Sequence, residues 1–138
     1  MQSVLESWRK CWREGFAPTI STRGLLALKK GLERDDPALI QGATTSPPPL
    51  LCVSQEPVDG ACAVAYCGWA GENLETVDEV EQYFGTTCAR ADKLLGEPGA
   101  CRYFMNYFDE QPRAEVRREL LAEVNRELAQ RWPSAAAA

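Results

Sequence analysis

The stretch VDGACAVAYCGWA, residues 58–70, decides the fold. Asp59 is its only charge, and Ala61, Ala63, Ala65 and Gly68 alternate with larger apolar residues. On periodicity alone, a short apolar run fits a buried strand as well as a buried helix. The alanines, and Pro57 at a first helical position, favour helix. A helix with no polar face must be covered on every side, and its small residues let the covering elements come close. Residues 58–70 are therefore expected to be the central helix of an all-α bundle.

The flanking segments supply the cover. Residues 98–108 follow Pro98 and place Cys101, Phe104, Met105 and Phe108 at i, i+3, i+4 and i+7, a core face that pairs with the central helix. Upstream, Val4, Leu5, Trp8, Cys11 and Trp12 recur at helical spacing over residues 3–14, with Gly15 expected as C-cap and Pro18 as the stop. Ser21 or Thr22 caps a second helix over 22–34, with Leu25, Leu28 and Leu32 inward and Leu26 widening the face. Asp36-Pro37 opens a further turn that ends at Gly42.

Downstream, Thr76 and Glu79 form a capping box for a helix that runs to about Leu95 and ends at Gly96. Gly85-Thr86-Thr87 marks a place where it could kink. Pro112 opens the last helix, with Val116, Leu120, Leu121, Val124, Leu128 and Trp132 as its stripe and Glu115, Glu119, Glu123 and Arg126 toward water. The architecture expected is one all-α domain of five to six helices over residues 1–133, with 134–138 a frayed tail. Residues 43–57 are an irregular Pro-rich segment packed across it. Pro47, Pro48 and Pro49 impose extended backbone there, and Leu50, Leu51, Cys52 and Val53 are expected to reach the core.

Composition narrows the function. The chain has 138 residues and a net charge of -5, which disfavours nucleic acid or an anionic membrane as partner. Its longest apolar run, residues 61–70, is far short of the ~20 residues of a spanning helix, and no stretch has the form of a targeting signal. A cytoplasmic location is expected. The chain has no histidine, which removes Ser-His-Asp and Cys-His catalysis and the commonest zinc and iron ligand sets. No phosphate loop and no Cys-x-x-Cys knuckle occurs, so neither metal nor cofactor is expected.

Two kinds of site are left. The six cysteines, Cys11, Cys52, Cys62, Cys67, Cys88 and Cys101, are expected to be reduced and mostly buried. Gly-Ala-Cys occurs at 60–62 and at 99–101, each at an expected helix start, where the dipole favours thiolate. Cys62 or Cys101, with Arg102 beside the latter, could therefore support a thiol-dependent redox or metal-linked activity. The other site is on residues 101–108. Tyr103 and Tyr107 lie one turn apart, on nearly the opposite side from Phe104 and Phe108. Either a second layer covers them or both are exposed as anchors for a protein partner or homodimer, with Arg102 or Asn106 at the rim. The chain thus reads as a non-catalytic protein-interaction or regulatory domain, with thiol chemistry as the alternative.

Overall fold

The computed structural model describes residues 4–49 and 55–132. Helix makes up 67% of the chain, in six helices with one two-stranded sheet among the described residues. Helix α1 spans Val4–Cys11 and continues through a π-wound turn at Trp12–Phe16 into a last turn at Ala17–Thr19. Helix α2 is Thr22–Glu33, and α3 is Ala63–Tyr66 extended by a π-wound turn at Cys67–Gly71. Helices α4, α5 and α6 are Val77–Leu95, Arg102–Glu110 and Arg113–Arg131. Strands β1 (Thr45–Ser46) and β2 (Gly60–Ala61) pair antiparallel, Thr45 opposite Ala61 and Ser46 opposite Gly60.

The central helix is shorter than its sequence predicts. Residues 58–62 are extended, and the helix begins only at Ala63. Pro57 does not open it: it pairs with Thr76 in an isolated antiparallel bridge, while Val58 N–H donates to the Glu75 carbonyl at 2.8 Å. Ala61 is flanked on both sides, by β1 and by a parallel bridge to Leu39. Gly60 suits that crowding, because a Cβ there would lie 3.3 Å from both Ile40 Cγ2 and Ser46 Cβ. The long-range ladder satisfies the backbone groups of 58–61, and the local alanine preference for helix yields to it. The remaining helix is covered as expected, every residue from Ala61 to Gly68 being buried.

The first helix is longer than expected. Gly15 does not end it and Pro18 lies inside its final turn. The π-wound turn just before Pro18 is where the chain accommodates a ring that would otherwise meet the carbonyl four residues back. Gly15 serves packing instead: a Cβ there would come within 2.8 Å of Leu95 and 3.3 Å of Ala91 on α4.

Other terminators act as the sequence predicts. Ser21 Oγ accepts from Gly24 N–H at 3.0 Å. Thr76 and Glu79 form the complete capping box, and Gly96 closes α4 at φ 72°. Helix α4 runs unbroken through Gly85. Pro112 is the N-cap of α6. By contrast, residues 98–101 form turns, so Pro98 does not open α5. Three arginines of α6 donate to backbone carbonyls at or just beyond helix ends. Arg131 donates to Ala17 and Ile20 at the end of α1, Arg117 to Leu32 and Glu33 at the end of α2, and Arg113 to Asp36 and Leu39 just beyond. This fixes α6 antiparallel to α2.

One apolar core joins all six helices. Its thickest part is aromatic. Phe104 lies among Trp8, Trp12, Phe16 and Phe108, and Trp8 stacks on Tyr107 with ring centroids 3.9 Å apart and planes 4° apart. Three expected faces are corrected at its edge. Leu26 and Trp132 are exposed, and Glu123 faces inward at 6% exposure, held by Arg13 in a two-pronged pair at 2.7 and 2.8 Å. Thr45 is buried beneath the start of the Pro-rich segment and donates to Glu81 of α4 at 2.8 Å, while Pro48 and Pro49 are exposed. The Ser46–Pro47 peptide bond is cis. Leu50, Leu51, Cys52, Val53, Pro133 and the tail 134–138 lie outside the described residues.

Candidate functional site

The two tyrosines of α5 part company. Tyr107 is 1% exposed, stacked on Trp8, and its hydroxyl donates to Glu119 of α6 at 2.7 Å. Burial, and then the Glu119 carboxylate, push its phenol far above the usual range. It is a core residue and cannot meet a partner from outside. At 100° per residue Tyr107 lies about 60° from Phe104, and α1 brings Trp8 against both rings.

Tyr103 is different, with 39% of its surface exposed. Arg102 lies over its ring, 4.6 Å from the guanidinium carbon to the centroid, and its hydroxyl donates to Glu97 at 3.0 Å. Arg102 also donates to Glu97 at 3.2 Å and to the Gly99 carbonyl at 2.7 Å. The ring is thus clamped in one orientation by its neighbours. Asn106 is exposed one turn along the helix.

Tyr103 stands at the mouth of a cavity of about 180 Å³. The cavity opens between α1, which supplies Ser7, Lys10 and Cys11, and the end of α4, which supplies Leu95. Glu97 and Ala100 complete it. Two bonds from Asp92 shape this corner. Its carboxylate accepts from Gly99 N–H at 2.8 Å and from Cys101 N–H at 2.7 Å, tying the 96–101 turn to α4. The cavity brings Lys10 together with Glu97 and Tyr103, positions far apart in sequence, so no local pattern marks it.

The cysteines sit in poor surroundings for nucleophilic chemistry. Cys62, expected just inside a helix that starts at residue 58, is instead the N-cap of α3; it is buried and its thiol is pushed up to about 12 by that burial. Desolvation outweighs the helix dipole there. Cys101 is half-buried beside Asp92, and burial followed by that carboxylate raises its thiol as well. Arg102, the cation expected to help it, is committed to Glu97, Gly99 and Tyr103. Cys11 donates to the Ala100 carbonyl at 3.4 Å and is pushed up to about 11, chiefly by burial. Cys67 and Cys88 are also buried, with thiols raised by that burial. All five described cysteines are free; Cys52 is outside the described residues.

Among the described residues, no group of three or more Cys, Asp or Glu side chains has the geometry to hold a metal ion, and no helix is long and apolar enough to cross a membrane. Set against family models, curated proteins and solved structures, the chain matches none.

Proposed function

We propose that this chain is a non-catalytic protein-interaction domain that receives a protein partner, or a second copy of itself, at Tyr103. The observation that carries the reading is the clamped, half-exposed Tyr103 ring at the mouth of the cavity between α1 and the end of α4. An aromatic ring already held in one rotamer loses little entropy on binding and contributes a large contact area. The cavity beside it has an apolar floor in Cys11, Leu95 and Ala100 and a polar rim in Ser7, Lys10 and Glu97. That division of apolar centre and polar edge is the usual anatomy of an interface. Arg102 belongs to the rim; Asn106 lies beyond it, and Tyr107 plays no direct part.

Tyr103→Ser tests the reading. The side chain is at the surface, so the melting temperature should stay within about 2 °C of the parent. Sedimentation velocity on the purified chain, and quantitative capture from source lysate, should both be run against the parent. Loss of self-association or of a captured protein in the variant supports the proposal. Unchanged association in both assays overturns it.

A further inference from the structure

The outer stripe of α2 is a second surface, separate from the Tyr103 cavity. Arg23, Ala27, Lys30 and Arg34 follow one another at i, i+4, i+7 and i+11, which places them within about 60° of one another around the helix. Their span is roughly 16 Å at 1.5 Å per residue. Together with Leu26, Tyr66, Ala70 and Gly71 they line a trough of about 290 Å³ between α2 and α3.

The trough exists because α2 and α3 approach closely. A Cβ on Gly71 would lie 2.5 Å from Gly24 Cα, and one on Gly31 would lie 2.8 Å from the Tyr66 ring. With such close packing, Ala27, Ala70 and Gly71 leave a shallow floor, and longer side chains stand at its sides. Leu26 at the edge is 38% exposed.

The charge of this trough is opposite to that of the whole chain. The net charge is -5, yet three cations line the trough. Arg23 is paired, with Glu72 at 2.7 Å. Lys30 and Arg34 have no carboxylate within ion-pairing distance among the described residues. Asp35, next along, pairs with Arg113 and Arg117. Asp36 accepts from the Tyr66 hydroxyl at 2.7 Å and from Ala38 N–H at 2.9 Å, and those bonds, with a smaller contribution from Arg34, hold its carboxyl below the usual value.

We propose that this trough docks an acidic amphipathic helix from a partner protein. Carboxylates at i, i+7 and i+11 would match Arg23, Lys30 and Arg34, and one apolar residue at i+4 would cover Leu26 and Ala27. The length of the stripe suits three turns of helix. A nucleic acid is the poorer match, because a backbone with a charge every ~1.7 Å carries roughly nine charges along the ~16 Å stripe, far more than three cations can meet.

The test uses a synthetic alanine-based helical peptide with Glu at i, i+7 and i+11 and Leu at i+4. It is titrated into the 15N-labelled chain and followed by NMR. Saturable shifts confined to residues 23–34 and 66–71 are expected. Binding should weaken about tenfold in Lys30→Glu/Arg34→Glu and fall as salt rises from about 0.05 to about 0.3 M. Lys30→Glu alone, which leaves Arg34 in place, should show a smaller loss and serves if the double variant melts lower. Tyr103→Ser should bind the peptide as the parent does, so failure here is distinct from failure at Tyr103. The proposal is overturned if no saturable shift appears, if a peptide with the same residues scattered around the helix binds equally, or if a short DNA duplex binds the same residues more tightly.

Discussion

The core is held together in two opposite ways. Around α1 and α5 it is filled with large rings: Trp8, Trp12, Phe16, Phe104, Tyr107 and Phe108 are all buried in mutual contact. Along the α2–α3 seam it is closed by missing side chains. Gly24 faces Gly71 and Gly31 faces the Tyr66 ring; on the other side of α3, Gly68 lies against the Tyr83 ring of α4, where a Cβ would come within 2.5 Å. In the first region stability comes from apolar area removed from water. In the second it depends on how near two backbones can come, so adding one carbon is the damaging change. The exposed surfaces differ accordingly. The aromatic region leaves a cavity beside Tyr103, and the glycine seam leaves a shallow trough.

The largest effect is expected from removing a ring. Phe104 contacts five other aromatic residues and has no solvent exposure. Phe104→Ala should destabilise the chain by about 4 kcal/mol, measured by urea unfolding. A loss below about 1 kcal/mol would mean that the rings repack freely and the contrast between regions is false.

The seam is tested by the reverse change. Gly71→Ala should cost roughly 3 kcal/mol, because its new Cβ meets the Gly24 backbone, which cannot rotate away. Gly15→Ala is the sharper comparison. Its Cβ meets the end of the Leu95 side chain and the Ala91 methyl, and Leu95 can move, so the loss should stay near 1 kcal/mol. If the two variants were equally damaged, closeness to backbone would not be what distinguishes the seam.

A smaller effect concerns pH. The Tyr66 hydroxyl, followed by Ala38 N–H, holds the Asp36 carboxyl below its usual value. A carboxyl lowered in the folded state contributes stability that is present above its unfolded value, about 4, and lost as pH falls through the folded value. Tyr66→Phe should therefore flatten the acid branch of the stability curve below about pH 4. Stability at neutral pH should drop in step, and an unchanged acid branch would remove this bond from the seam's account.

The smallest change should have the opposite sign. Gly85 is exposed inside α4, and a Cβ there would meet nothing within 4 Å. Gly85→Ala should raise stability by about 0.5–1 kcal/mol by restricting the unfolded chain. Destabilisation would show that this helix needs its glycine for a reason other than packing.

What could be read from the sequence was local chemistry. The Ser21 cap, the Thr76–Glu79 box, the Gly96 terminator and the Pro112 start each rest on groups within four residues of one another. The core face of α5 was legible from spacing, with Phe104 and Phe108 buried and Cys101 and Met105 half-buried. The misread elements all depend on a distant partner. Pro57 read as a helix start because its bridge to Thr76 lies 19 positions away. Glu123 read as solvated because Arg13 is 110 positions away. At the candidate site, the sequence singled out Arg102 and Tyr103 but left open whether a second layer covers the ring, and it did not mark the cavity beside it.

By itself, the sequence determined the helical class, most of the helix ends and the absence of histidine chemistry, because capping, periodicity and composition act over a turn or less. Tertiary structure alone decided that residues 58–62 extend, that Tyr107 is core while Tyr103 is surface, and that cations gather along one trough in an acidic chain. Each of these turns on which element covers a given face, and a single helix wheel carries no information about its neighbours.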